Sequence, residues 1–223
     1  MSSIYRPSES EKNGLDLITD KDLNILSIGI SSSGLAEIEM TKNNDNNHIV
    51  ETNIDLKSMN FTKSNNTSKG LENRIELKIE DVTEKMPYQD NYFDFIYARL
   101  VLHFLKNSDL KNALSEIYRV LKNNHKLYVV VRSIDDWEAK LEGATYDEET
   151  GFTRYPKTRI LENSQVKYLE RRLHSNESIT EFLTQAGFKI DYVKEYQEEV
   201  YIDYDRTIKK ERPIKLIEVC AIK

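Results

Sequence analysis

The sequence predicts an α/β domain in which helices cover both faces of a doubly wound, mostly parallel sheet. Three observations carry that expectation. Residues 127–131, LYVVV, form a continuous apolar run of the kind found in strands buried on both faces. Between Ser108 and Leu121, the residues Leu110, Ala113, Leu114, Ile117, Val120 and Leu121 recur at spacings of three and four, while Lys111, Glu116, Arg119 and Lys122 fall off that stripe, as in an amphipathic helix. Strand-like and helix-like stretches then alternate along the chain, the order that builds βαβ units.

Each element follows from local residues. Residues 1–13 are polar and are expected to be flexible, and Leu15, Leu17 and Ile18 offer one apolar stripe of a short helix before Asp20 and Asp22 break it. Residues 23–30 read as a buried strand, 34–42 as a helix, the Asn-rich 43–47 as a turn, and 48–56 as a second strand. Residues 57–73, rich in Asn, Ser, Thr and Lys, make a poorly packed helix or a loop. A third strand falls at 75–79 and a fourth at 93–97, after the turn residues Pro87 and Asp90-Asn91. Asn123-Asn124 ends the helix that follows, because Asn takes the left-handed conformation almost as Gly does.

The last third changes character. Residues 135–172 form a charged connection holding Trp137, Tyr146, Phe152, Tyr155 and Tyr168, too long for an ordinary loop, so it is functional or has helices of its own. Ser175 caps a helix through Ala186, Gly187 stops it, and closing strands occupy residues 188–205 and 214–222.

Composition bounds the function. A chain of 223 residues with 39% hydrophobic content builds one core, so residues 1–223 are expected to form a single domain. Its formal charge of −6 speaks against a broad grip on a nucleic-acid backbone, and Arg171-Arg172 and Lys209-Lys210 read as solvated surface. The single cysteine, Cys220, leaves no intrachain disulfide and no multi-cysteine zinc site, and points to a reducing, cytoplasmic setting. No apolar stretch approaches the roughly 18 residues of a membrane span, so no membrane partner is expected. Neither a His-plus-acid metal spacing nor a phosphate loop ending in Gly-Lys-Ser/Thr occurs, and no metal is expected.

From about Leu23 onward the chain resembles the class I S-adenosylmethionine-dependent methyltransferases. IEDVTEKMPYQDNYFDFIYARLVLHFL (79–105) is similar to that family's acidic turn, Pro-containing loop, Phe-Asp strand start and apolar post-strand helix. ALSEIYRVLKNNHKLYVVV (113–131) and TEFLTQAGFKI (180–190) resemble its later helices and strands, in the same order. The resemblance implies a seven-stranded sheet whose last strand is antiparallel, with the sulfonium cofactor S-adenosyl-L-methionine at the carboxyl ends of the strands. In the family the first strand ends in an acid followed by glycines at alternate positions. Here that run is Ser27-Ile28-Gly29-Ile30-Ser31-Ser32-Ser33-Gly34, a degenerate glycine loop that is either a ligand loop rebuilt with serines or a turn whose serines cap the next helix.

Carried over residue by residue, the resemblance implies cofactor contacts from Ser27, Gly29 and Ser31, ribose binding by Asp55, and adenine binding by Asp81 with Val82 over the ring. Ala98 and Arg99 would lie near the methionine end. Asp94 reads first as a turn cap. His103 is the candidate proton acceptor, because it follows the cofactor-side strand by one turn and an imidazole can take a proton near pH 7. Residues 135–172 are expected to cover the substrate side, with Trp137 and Tyr146 packing on the acceptor, although such aromatics can equally anchor a peripheral segment. The expected function is S-adenosylmethionine-dependent methyl transfer to a small molecule, with a protein acceptor left open. The alternative is a methyltransferase-like binding or scaffold protein without catalysis, suggested by Ser27, Ser31 and Ser33.

Overall fold

The structure, a computed structural model, describes residues 7–29, 34–157, 167–199, 201, 208–209 and 212–223. Helix α1 (Glu9–Asp16) is followed by β1 (Asn24–Ile28), α2 (Leu35–Met40), β2 (His48–Asn53), α3 (Leu56–Ser68), β3 (Ile75–Ile79), β4 (Phe93–Arg99), α4 (Asn107–Val120) and β5 (Leu121–Arg132). Three short strands come next, β6 (Thr145–Asp147), β7 (Phe152–Pro156) and β8 (Tyr168–Arg171), then α5 (Asn176–Gln185), β9 (Lys189–Glu198) and β10 (Ile214–Ile222). The main sheet runs β3-β2-β1-β4-β5-β10-β9. Its first five strands pair in parallel, and β10 is antiparallel to both its neighbours. The seven-stranded α/β sheet with an antiparallel last strand is therefore present.

Alternation along the strands sorts the core onto two faces. Leu26 and Ile96 lie side by side, as do Ile25 and Phe95 one residue earlier. Leu26, Ile96 and Val129 pack with Leu114 of α4 and Leu183 of α5. On the opposite face Ile25, Phe95 and Tyr128 pack with Ile38 and Met40 of α2. The α4 stripe is buried as its spacing predicts, through Leu110, Ala113, Leu114, Ile117 and Val120. Asn124 has φ of 63°, the left-handed turn expected there.

Three expectations are corrected. Residues 9–13, expected to be flexible, lie in α1, where the Glu11 carboxylate accepts from the Ser8 N–H (2.9 Å) and Tyr128 Oη donates to the Ser10 carbonyl (2.5 Å). A polar segment is ordered here by its bonds to the sheet. The second strand ends at Asn53, because Asp55 accepts from the Ser58 hydroxyl (2.6 Å) and starts α3. Residues 135–172 hold the antiparallel sheet β6-β7-β8, and a short 3-10 turn, Trp137–Lys140, is their only described helical piece. The aromatic and Thr-containing run of β7 suits a strand better than a helix.

Asp94 acts structurally. It accepts from the Leu23 and Asn24 N–H groups (3.1 and 2.8 Å) and from Lys122 Nζ (2.5 Å). Burial raises its pKa, yet Lys122 and the backbone donors outweigh burial and hold it below the usual range. Among the described residues no helix is long and apolar enough to cross a membrane.

Candidate functional site

β1 and β4 are neighbours in the sheet, and the chain leaves them toward opposite edges, so a crevice opens at their carboxyl ends. Gly29 ends β1 with φ of 74° and donates its N–H to the Thr52 carbonyl (2.9 Å). A Cβ there would lie 2.4 Å from Val101 Cγ2, so both the conformation and the close approach of the two loops require glycine. Leu100 ends β4 with φ of 56°, a strained conformation for a residue with a Cβ, fixed by its N–H bond to Val130 O (2.8 Å).

Three connected lobes make up the crevice. The central one, about 340 Å³, is bounded by Gly29, Asn53, Asp81, Val82, Leu100 and Phe104. It shares Asp81 and Val82 with a lobe of about 200 Å³ closed by Met86 and Pro87. On its other side it shares Gly29 and Leu100 with a charged lobe of about 210 Å³, which Glu11, Ser27, Glu37, Tyr97 and Arg99 complete. The central lobe alone reaches the size of small-molecule sites, roughly 300–1,000 Å³.

The lobes differ in chemistry. In the lobe closed by Met86 and Pro87, Asp81 Oδ1 accepts from Thr83 N–H (2.9 Å) and Thr83 Oγ1 (2.7 Å), which fixes the carboxylate while Oδ2 has no donor among the described residues. In the charged one, Ser27 Oγ donates to Glu37 Oε1 (2.6 Å). Burial, only partly offset by that bond, pushes the Glu37 carboxyl above its usual range. Behind it Glu51 is pushed well up, by burial first and by the neighbouring Glu37 second. Arg99 is clamped by Ser10 Oγ (2.6 Å), Ser8 Oγ (2.9 Å) and Glu198 Oε1 (2.8 Å).

A family profile described as a methyltransferase domain matches residues 26–129, which hold most of β1 to β5 and every named lining residue of this crevice except Glu11. Residues 26–129 are thus similar to a methyltransferase domain, and the fold is that of the class I S-adenosylmethionine-dependent methyltransferases. The family cofactor is S-adenosyl-L-methionine. Solved structures share the whole fold. A SAM-dependent methyltransferase from Methanosarcina mazei aligns with a TM-score of 0.67 at 20% identity, covering 93% of this chain and 95% of its own. The PH0226 protein of Pyrococcus horikoshii aligns with a TM-score of 0.69 at 11% identity, covering 96% and 88%. The cyclase SpnF aligns with a TM-score of 0.64 at 18% identity, covering 96% and 79%. No curated protein matches this chain in sequence.

Within this stretch, Gly29, Asp81, Val82, Ser27 and Arg99 all border the crevice. Ser31 lies outside the described residues. Asp55 is exposed and turned to α3, and Asn53, two residues earlier, takes the place at the end of β2. Ala98 is fully buried in the core, because alternation along β4 turns it away from the charged lobe that Arg99 borders. His103 is buried and absent from the crevice lining. Burial, reinforced by Arg171, Arg132 and His174, holds its pKa well below the usual value. Trp137 donates to Pro213 O (3.1 Å) and lies under Arg212, while Tyr146 is 61% exposed on β6; neither lines the lobes.

Sequence reading missed Asn53, Leu100, Phe104 and Glu37. Only Asn53 left a signal, as a polar residue at a strand end. It also took Arg171-Arg172 for solvated surface, yet Arg172 is buried with its guanidinium on the Leu105 and Thr150 carbonyls. Among the described residues no group of three or more His, Cys, Asp or Glu could hold a metal ion.

Proposed function

We propose that this domain transfers the methyl group of S-adenosyl-L-methionine to a small-molecule acceptor. The observation that carries the reading is the crevice's division into a lobe holding Asp81 and Val82, a glycine-floored centre and a lobe holding Glu37 and Arg99, in the order of a ligand with a base, a sugar and an amino acid. The donor set fits such a group. Asp81 Oδ2 would accept from an exocyclic amino group, and Val82 would cover the ring. Asn53, whose Oδ1 accepts from the Asp55 N–H (3.0 Å), lines the centre where the sugar would lie. Gly29 leaves the room a Cβ would fill. Ser27, Glu37 and Arg99 line the lobe that would take the amino-acid end.

When bound, the cofactor supplies an activated methyl group and leaves as a neutral thioether. The chain's own work is then to bind and align, and alignment can supply roughly 7–11 kcal/mol of the barrier without a dedicated acid. His103, buried and kept neutral, supports the walls rather than the acceptor. The small sheet β6-β7-β8 docks beside the crevice through Arg172 N–H to His103 O (2.8 Å) and Asn107 N–H to Thr150 O (3.0 Å). We assign it as the cover that excludes water from the acceptor side. The buried Cys220 agrees with a reducing, cytoplasmic setting.

Calorimetric titration with S-adenosylhomocysteine tests the reading. The wild type is expected to bind, and Asp81→Asn to bind about tenfold more weakly, having lost one charge-assisted hydrogen bond. No binding at millimolar ligand removes the proposal. Ser27 in place of an acid favours a second reading, a binding protein without transfer, and SpnF, described as a cyclase, shares the fold. A labelled-methyl screen over metabolite and peptide pools separates the two, since cofactor binding without any labelled product supports the second.

A further inference from the structure

Part of the central lobe's lining is apolar, formed by Val101, Phe104 and Leu105. Phe104 is 52% exposed there, a large apolar surface at the mouth of a crevice rather than in the core. Over its ring, 5.2 Å from the centroid, stands the guanidinium of Arg171, the last residue of β8. Arg171 Nη1 donates to the hydroxyl of the buried Tyr155 (2.5 Å), which aims the group. Its Nε is buried and has no hydrogen-bond partner.

Three other arginines near the crevice pair with carboxylates, while Arg172 donates to the Leu105 and Thr150 carbonyls. Arg99 pairs with Glu198 (2.8 Å) and Arg132 with Glu138 (2.5 Å) and Asp136 (3.0 Å). Arg154, on the strand next to β8, reaches Glu170 (3.9 Å). Arg171 has no carboxylate within 4.0 Å among the described residues, in a chain whose formal charge is −6. A partly buried guanidinium aimed by Tyr155, beside a half-exposed aromatic ring, is suited to a planar anion.

We propose that Arg171 is a specificity-determining residue that selects an acceptor bearing a carboxylate on a ring or apolar body, the body resting on Phe104 and the carboxylate on the guanidinium. The inference rests on the methyl-transfer reading of the crevice, and its test keeps the two apart. The probes are 4-fluorobenzoate and 4-fluorobenzamide, titrated by fluorine NMR with and without S-adenosylhomocysteine. The wild type is expected to bind the benzoate on the order of tenfold more tightly than the amide, the strength of one hydrogen bond to a charged group. Arg171→Gln is expected to equalise the two probes while its affinity for S-adenosylhomocysteine stays unchanged. Tyr155→Phe, which keeps the charge and removes its anchor, is expected to shrink the preference in part, and it decides the matter if Arg171→Gln does not fold. Equal binding of the probes by the wild type, no binding of either, or a preference that survives in both variants overturns the inference. If S-adenosylhomocysteine binds throughout, that failure leaves the methyl-transfer reading standing. A benzoate preference lost in Arg171→Gln while S-adenosylhomocysteine fails to bind supports the carboxylate site and removes the transfer reading instead.

Discussion

On the β1–β2 side of the crevice lie two buried carboxyls, Glu37 and Glu51; on the β4–β8 side lie two buried imidazoles, His103 and His174. Burial acts on both sets in opposite directions. It pushes the two carboxyls up, toward holding their protons, and the two imidazoles down, toward giving theirs away. Each wall is thereby less charged than its residues suggest. The same rule shows where charge was retained: Arg99 is kept ionised by Glu11 and Glu198 against the effect of burial, and Arg171 stands at the mouth.

The widest test of the contrast is acid. His174 is fully buried, its Nδ1 lies 3.3 Å from Ser178 Oγ, and its Nε2 has no partner. Burial, with Arg172 nearby, lowers its pKa from the ordinary 6.5 to about 3. A group depressed in the folded state contributes stability that is present above the unfolded value and is lost as pH falls toward the folded one. Stability is therefore expected to decline between pH 6.5 and about 3, by up to about 5 kcal/mol from this residue, an upper bound at about 1.4 kcal/mol per pH unit. His174→Gln, followed by urea unfolding at several pH values, is expected to flatten that decline while lowering stability at pH 8. An unchanged slope would falsify the assignment of the acid lability to this wall.

The walls meet at Gly29, and the next prediction breaks their junction. Gly29→Ala places a methyl against Val101 and holds an L-residue at φ of 74°. The backbone strain costs roughly 1–2 kcal/mol, and overpacking adds a similar amount. We expect a loss of about 2–3 kcal/mol in urea unfolding and at least tenfold weaker S-adenosylhomocysteine binding, since Val101 must move into the central lobe. If calorimetry returns wild-type affinity, Gly29 serves only the turn.

The contrast between the walls also separates what could be read from sequence from what could not. LYVVV and the stripe from Leu110 to Leu121 were legible because periodicity records burial directly. Gly29 was legible because few other residues tolerate its backbone. Asp81 and Val82 were placed by their position in a resembling stretch. Leu100 was not, since nothing in a leucine announces a positive φ imposed by the Val130 hydrogen bond. Arg171 and Arg172 looked alike as neighbours in sequence. Their difference, one capped by carbonyls and the other left over Phe104, exists only after β8 docks on the turn that follows β4. Asp55 was mistaken for the strand-end group because the strand stops two residues sooner than its polarity suggests, and the carboxylate is spent on Ser58.

The smallest expected effect has the opposite sign to the acid test. Glu51 is fully buried; its Oε2 accepts only a long bond from Asn66 Nδ2 (3.4 Å), and its Oε1 has no partner. Nearby, Thr62 Oγ1 and Asn66 Oδ1 are buried without partners as well. A carboxyl raised in the folded state contributes stability that is full below its unfolded pKa, near 4.5, and fades as pH rises through the folded value. Glu51→Gln removes the ionisable group and supplies two amide protons to acceptors that lack donors. The gain should be about 1 kcal/mol at pH 8, a rise in Tm of roughly 2–4 °C at this chain length. At pH 5 most of that gain should vanish, because the wild-type carboxyl is then protonated and already donates. Thermal melts of both proteins at the two pH values decide it: a variant less stable than the wild type by the same margin at pH 5 and pH 8 would mean that Glu51 is ionised and satisfied, and that the β1–β2 wall is charged after all.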